Sequence, residues 1–88
     1  MLRFVFDCET NGLLHELDTV HSLVLRDIDS GDVTSCSDHD GYESIESGLY
    51  MMSKADLLVG HNVINFDFRA LKKVYKSFKL KKNCKIND

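Results

Sequence analysis

Leu2-Arg3-Phe4-Val5-Phe6 is an apolar run of β-branched and aromatic residues broken only by Arg3, and it ends at Asp7-Cys8-Glu9-Thr10-Asn11-Gly12, where Asn-Gly marks a turn. Such a run predicts a central strand covered on both faces. A central strand needs neighbours, and the following residues supply them. Val20 to Ile28 predicts a second strand, Asp29-Ser30-Gly31-Asp32 a hairpin turn, and Val33 to Ser37 a short third strand antiparallel to the second. Tyr42, Ile45, Leu49 and Met52 recur at helical spacing, with Gly48 inside that helix at a cost of about 1 kcal/mol against alanine. Ala55 to Val59 predicts a further buried strand, closed by Gly60-His61-Asn62. Asn65 then stands as an N-cap, and Phe68, Leu71, Val74, Tyr75 and Phe78 line one side of a helix ending near Phe78. The order strand, strand, strand, helix, strand, helix predicts an α/β class, a mixed sheet with helices packed on it, over residues 1–88 as one unit.

Length and composition narrow the rest. A chain of 88 residues holds one small domain with a thin core. No apolar run approaches the ~18 residues that span a bilayer, so no membrane association is expected. Acids at positions 7 and 9 and the lack of a small-residue cleavage site speak against a secretory signal, which makes the expected compartment cytoplasmic. Cys8, Cys36 and Cys84 are widely spaced, without any C-x-x-C, and read as reduced thiols. The four histidines share no metal-ligand spacing, and phosphate-loop and Ser-His-Asp patterns are missing. Charge is divided unevenly. Residues 1–68 carry 13 acids and 3 bases, while residues 69–88 carry 8 bases and only Asp88 as an acid. That division permits an acidic metal-binding face beside a basic tail, although a solvated helix face gives the same counts. The tail lysines, Lys72, Lys73, Lys76, Lys79, Lys81, Lys82 and Lys85, suit non-specific phosphate contact or plain solvation.

Two groups of residues could carry chemistry. Asp7 and Glu9 are two apart at the carboxyl end of the first strand, hence on one face, where open α/β sheets collect ligands. Paired carboxylates there suit a hard cation such as Mg²⁺ or Mn²⁺; a solvated strand end accounts for them equally well. Asn62-Val63-Ile64-Asn65-Phe66-Asp67 places Asp67 in the first turn of the last helix, where the macrodipole favours an acid by about 0.3–1 kcal/mol and capping alone would explain it.

Together, Phe-Asp-Cys-Glu-Thr-Asn-Gly-Leu at 6–13 and Gly-His-Asn-Val-Ile-Asn-Phe-Asp at 60–67 resemble the first two motifs of the DEDD superfamily of 3′-to-5′ exonucleases, D-x-E and N-x(2,3)-F/Y-D. The resemblance is to the N-terminal proofreading domain of phage-type family A DNA polymerases, and it implies a ribonuclease H-like fold. It also implies two-metal hydrolysis of 3′-terminal phosphodiester bonds in DNA, with two Mg²⁺ or Mn²⁺ ions held by Asp7, Glu9 and Asp67 as the catalytic carboxylates. Asp7 would bridge both ions, Glu9 would serve the one that binds the attacking water, and Asp67 the other. Thr10, Asn11 and Leu13 match the segment that holds the 3′-terminal nucleotide, and Asn62 and Phe66 match substrate contacts of the second motif. For Leu13 core packing is the competing reading. The partners implied are a single-stranded DNA 3′ end and the remainder of a polymerase chain, or self-association through an uncovered apolar face, in viral or bacterial host cytoplasm. No third motif, Y-x(3)-D or H-x(4)-D, occurs in these residues. The chain is therefore expected to stop before it, and to be weakly active or inactive by itself. The segment from Asn83 to Asp88 resembles the start of the strand that follows the second motif. The competing reading is a non-catalytic module of a split polymerase that binds nucleic acid or protein, and a preference for RNA over DNA stays open.

Overall fold

The computed structural model describes all 88 residues. Five strands, β1 (Arg3–Thr10), β2 (Val20–Asp27), β3 (Val33–Ser37), β4 (Leu57–Val59) and β5 (Lys85–Asn87), form one mixed sheet in the order β3-β2-β1-β4-β5. β1 is central, as its apolar run predicts. It pairs antiparallel with β2 and parallel with β4, and β4 pairs parallel with β5. The β2–β3 hairpin closes through the predicted turn, with Gly31 at φ +80° and the Asp27 carboxylate accepting from the backbone of Asp29 and Ser30. No helix is long and apolar enough to cross a membrane.

Two α-helices, α1 (Ile45–Ser53) and α2 (Phe68–Val74), pack on the same face of the sheet. That face carries Phe4, Phe6 and Cys8 of β1 with Leu23 and Leu25 of β2. Ile45, Leu49 and Met52 of α1 and Leu71 of α2 close over them in one core. Alternation along β1 sends Asp7 and Glu9 to the other face, where Val24 and Val33 are also exposed and Val5, Leu57 and Val59 are half-buried. The expectation of cover on both faces is thus corrected: one face is a core and the other is open.

Other boundaries shift for identifiable reasons. β1 carries Asp7 and Glu9 at its carboxyl end, as expected, and extends to Thr10, because β2 keeps pairing with Asp7, Cys8 and Glu9 up to an irregularity between Glu9 and Thr10. Tyr42 lies outside α1 and is exposed; Ser44 caps that helix by accepting from Ser47 N. Gly48 weakens helix propensity but allows close approach, since a Cβ there would sit 2.7 Å from Cys36 Sγ and 2.8 Å from Leu23 Cδ2. Ala55 is buried but precedes β4. Asn65 is not an N-cap. It sits inside a π-helical turn, Val63–Asp67, and the regular helix begins only at Phe68 and ends at Val74 rather than near Phe78.

Candidate functional site

The parallel pairing of β1, β4 and β5 brings their carboxyl ends to one edge of the sheet. Asp7, Glu9 and Thr10 lie along the last part of β1. The π-helical turn leaves the end of β4, and Asp88 follows β5. Gly60 makes this turn possible, because a Cβ on it would meet Val63 Cγ1 at 2.2 Å and Phe6 O at 3.2 Å. Asn62 enters the turn in the left-handed region at φ 57°, a conformation asparagine adopts more readily than most residues. Val63, fully buried, anchors the turn, and the Phe68 N–H bonds back to the Val63 carbonyl. The single wide turn rotates Asp67 inward. Turns of this kind are frequent at functional sites.

Asp67 is the most unusual residue of the edge. It is only 5% exposed, and its Oδ2 is buried without a hydrogen-bond partner. It stands at the N-cap position of α2 with helical φ and ψ and makes no side-chain cap, so capping does not explain it. Burial pushes its carboxyl above the usual range, the adjacent Cys8 thiol and backbone N–H draw it back, and the charges of Asp7 and Asp88 push it up again. Cys8 itself is buried, and with Asp67 beside it the thiol is held protonated far above its ordinary range. It acts here as a neutral neighbour rather than a thiolate ligand.

The exposed Asp7 is close enough to act on Asp67, and Glu9 shares its face two residues further on. No three His, Cys, Asp or Glu side chains stand in metal-ligand arrangement. The donor set, two exposed carboxylates and one buried unpartnered oxygen, suits a hard divalent cation, which would have to draw the three together.

The remaining candidates divide. Leu13 is 63% exposed, so the core reading fails for it. Thr10 Oγ1 donates to Gly12 O, while Asn11 is spent inside its own loop: its Nδ2 donates to Asp18 and its Oδ1 accepts from the backbone of Asp18 and Thr19. Asn11 therefore braces the loop that presents Leu13. Asn62 is exposed and Phe66 half-buried on the turn before Asp67. One contributor was not singled out from the sequence. The Asp88 carboxylate accepts from Val63 N at 3.0 Å and Ile64 N at 3.1 Å, clamping the first N–H groups of the turn. No local pattern signals it, because its partners are more than 20 residues away.

This fold and edge define a ribonuclease H-like domain. The family model RNase_H_2, of the RNase H superfamily, matches residues 4–88, and the chain belongs to that family. Among solved structures, the family B DNA polymerase of the hyperthermophilic archaeon Pyrobaculum calidifontis is similar in fold, with a TM-score of 0.68 at 16% identity. The match covers 98% of this chain and 13% of the polymerase chain. No curated protein sequence matches.

Proposed function

We propose that residues 1–88 are the N-terminal part of a 3′-to-5′ exonuclease domain of the proofreading kind found with DNA polymerases, hydrolysing 3′-terminal phosphodiester bonds with two Mg²⁺ or Mn²⁺ ions. The observation that carries this reading is Asp67: a buried carboxylate with one unpartnered oxygen, not used as a cap, on the same sheet edge as Asp7. The RNase H family membership supports it, as does the fold shared with a DNA polymerase at 16% identity.

Asp7, Glu9 and Asp67 would hold the cations, whose charge offsets that of the attacking, phosphoryl and leaving oxygens of the phosphodiester. The chain's own residues do the rest of the positioning. Leu13, exposed on a loop braced by Asn11, is set to wedge against the terminal base; Thr10, Asn62 and Phe66 flank the same edge. Asp88 holds the turn that keeps Asp67 inward. These residues contain no Y-x(3)-D to orient the water, and positioned acid–base assistance is worth about 10²–10⁴ in rate.

Thermal unfolding with and without Mn²⁺ tests the reading. Mn²⁺ raises the Tm of the wild type and has little effect on Asp7→Asn; equal stabilisation of both would remove these carboxylates from the site. Adding a separate segment that carries the third motif restores release of 5′-mononucleotides from the 3′ end, assayed on DNA and RNA strands in parallel. The alternative, a non-catalytic binding module, is favoured by the open spacing of the three carboxylates. It predicts nucleic-acid binding with no Mn²⁺ response and no mononucleotide release.

A further inference from the structure

Away from the carboxylate edge, α2 and the segment after it border a shallow, open groove of about 620 Å³ lined by Phe68, Arg69, Lys72, Lys73, Phe78, Lys79 and Leu80. Its floor is apolar and its rim is cationic, with no acid among the lining residues. Two of the four cations are already engaged: Lys72 Nζ donates to Phe78 O of the groove wall at 2.7 Å and Lys73 Nζ to Leu14 O of the loop after β1 at 2.9 Å. Arg69 and Lys79 are exposed and make no ion pair or side-chain hydrogen bond.

We infer that this groove is a second nucleic-acid contact, in which Arg69 and Lys79 take the two phosphates flanking one unpaired nucleotide while its base lies on the Phe68, Phe78 and Leu80 floor. Phosphate with an apolar, stackable face is the chemistry of single-stranded nucleic acid, bound by cations for the backbone and aromatic carbon for the bases. The groove is also connected to the candidate site. Phe68 directly follows Asp67 and its ring lies 5.3 Å from that of Phe6 in β1, and Lys73 ties α2 to the loop carrying Leu13. The inference rests on the proposal of a nucleic-acid substrate, but not on hydrolysis or metal.

The test is equilibrium binding of a fluorescent single-stranded oligothymidylate in EDTA over a series of salt concentrations. Arg69→Glu combined with Lys79→Glu is expected to weaken binding at least tenfold and to flatten the log–log salt slope by about 1.4, the value for two phosphates on a single strand. Arg26→Glu with Lys54→Glu, the same change in charge outside the groove, is expected to leave the slope near that of the wild type. Leu80→Ser, checked for folding by circular dichroism, is expected to weaken the oligonucleotide but not inorganic polyphosphate. Absence of salt-sensitive binding by the wild type would overturn the inference. So would equal damage from the two charge-reversed pairs, polyphosphate binding as tight as the oligonucleotide, or a groove-pair loss seen only with anionic phospholipid vesicles. Mn²⁺ stabilisation, measured separately, keeps the two proposals apart. Groove-dependent binding without a Mn²⁺ response retains this inference and removes the nuclease, and a Mn²⁺ response without groove-dependent binding does the reverse.

Discussion

The two helical regions lie on one face of the sheet and satisfy their polar groups in opposite ways. α1 is self-sufficient: Ser44 caps its first turn, Lys54 N closes onto Met51 and Met52 carbonyls, and Gly48 lets it sit close against Cys36 and Leu23. The π-helical turn and α2 depend on distant partners. Asn62 enters left-handed with no side-chain cap, the cap comes from Asp88 after β5, and Asp67 is buried with an oxygen unpaired. An ordinary helix has no use for such an arrangement. A buried carboxylate oxygen without a partner costs stability, and nothing in the helix itself explains why it is kept.

The largest expected effects test whether the halves share one core. Met52→Ala in α1 and Leu71→Ala in α2 each remove a fully buried side chain and are expected to cost about 2–5 kcal/mol by urea unfolding. A negligible loss from Leu71→Ala would mean that the α2 half is not part of the same cooperative unit. Next comes Gly48→Ala. Helix propensity alone would have it stabilise by about 1 kcal/mol, but the close contacts at its Cβ position turn this into an expected loss of about 1–3 kcal/mol. A higher Tm for this variant would break the account of α1.

Asp67→Asn is expected to raise stability in chelator at neutral pH by roughly 1 kcal/mol, since it removes a poorly compensated buried charge. The pH dependence has a definite sign. The folded carboxyl is raised above its unfolded value, so its relative contribution to stability is present at low pH and is lost as pH rises through the folded pKa. The gap between variant and wild type therefore opens with rising pH and closes in acid, as thermal melts from pH 3 to 8 would show; a gap independent of pH would contradict the burial of this group. Ser44→Ala is expected to cost about 1 kcal/mol through loss of an N-cap. The smallest effect is Asn62→Gly, a gain of a few tenths of a kcal/mol by relief of the left-handed backbone, visible as a slight rise in Tm.

Much of this was legible in the chain. Strong local signals placed β1 through β3, with the bounds of β3 as observed, and the spacing of Ile45, Leu49 and Met52 placed α1. The i, i+2 spacing of Asp7 and Glu9 was enough to set them on one face, because strand alternation is a property of local geometry. The errors lie where non-local packing overrides propensity. Asn65 looked like a cap because asparagine favours that role, but Val63 buries itself against Gly60 and displaces the helix start by two residues. Gly48 looked like a weakness because the neighbours that require it, Cys36 and Leu23, are distant in sequence.

The amino-acid sequence by itself determined the order of elements from β1 to α2, the α/β class, and the two acidic motifs at the ends of β1 and β4, but not β5. Each depends on periodicity and turn chemistry within a few residues. Tertiary structure alone decided that both helices cover the same face, that Asp67 turns inward to lose its solvent while Asp88 holds its turn from outside, and that the basic tail borders an open apolar groove. These depend on which sheet edge and which helix meet in space, and burial, charge coupling and cavities exist only once segments tens of residues apart are brought into contact.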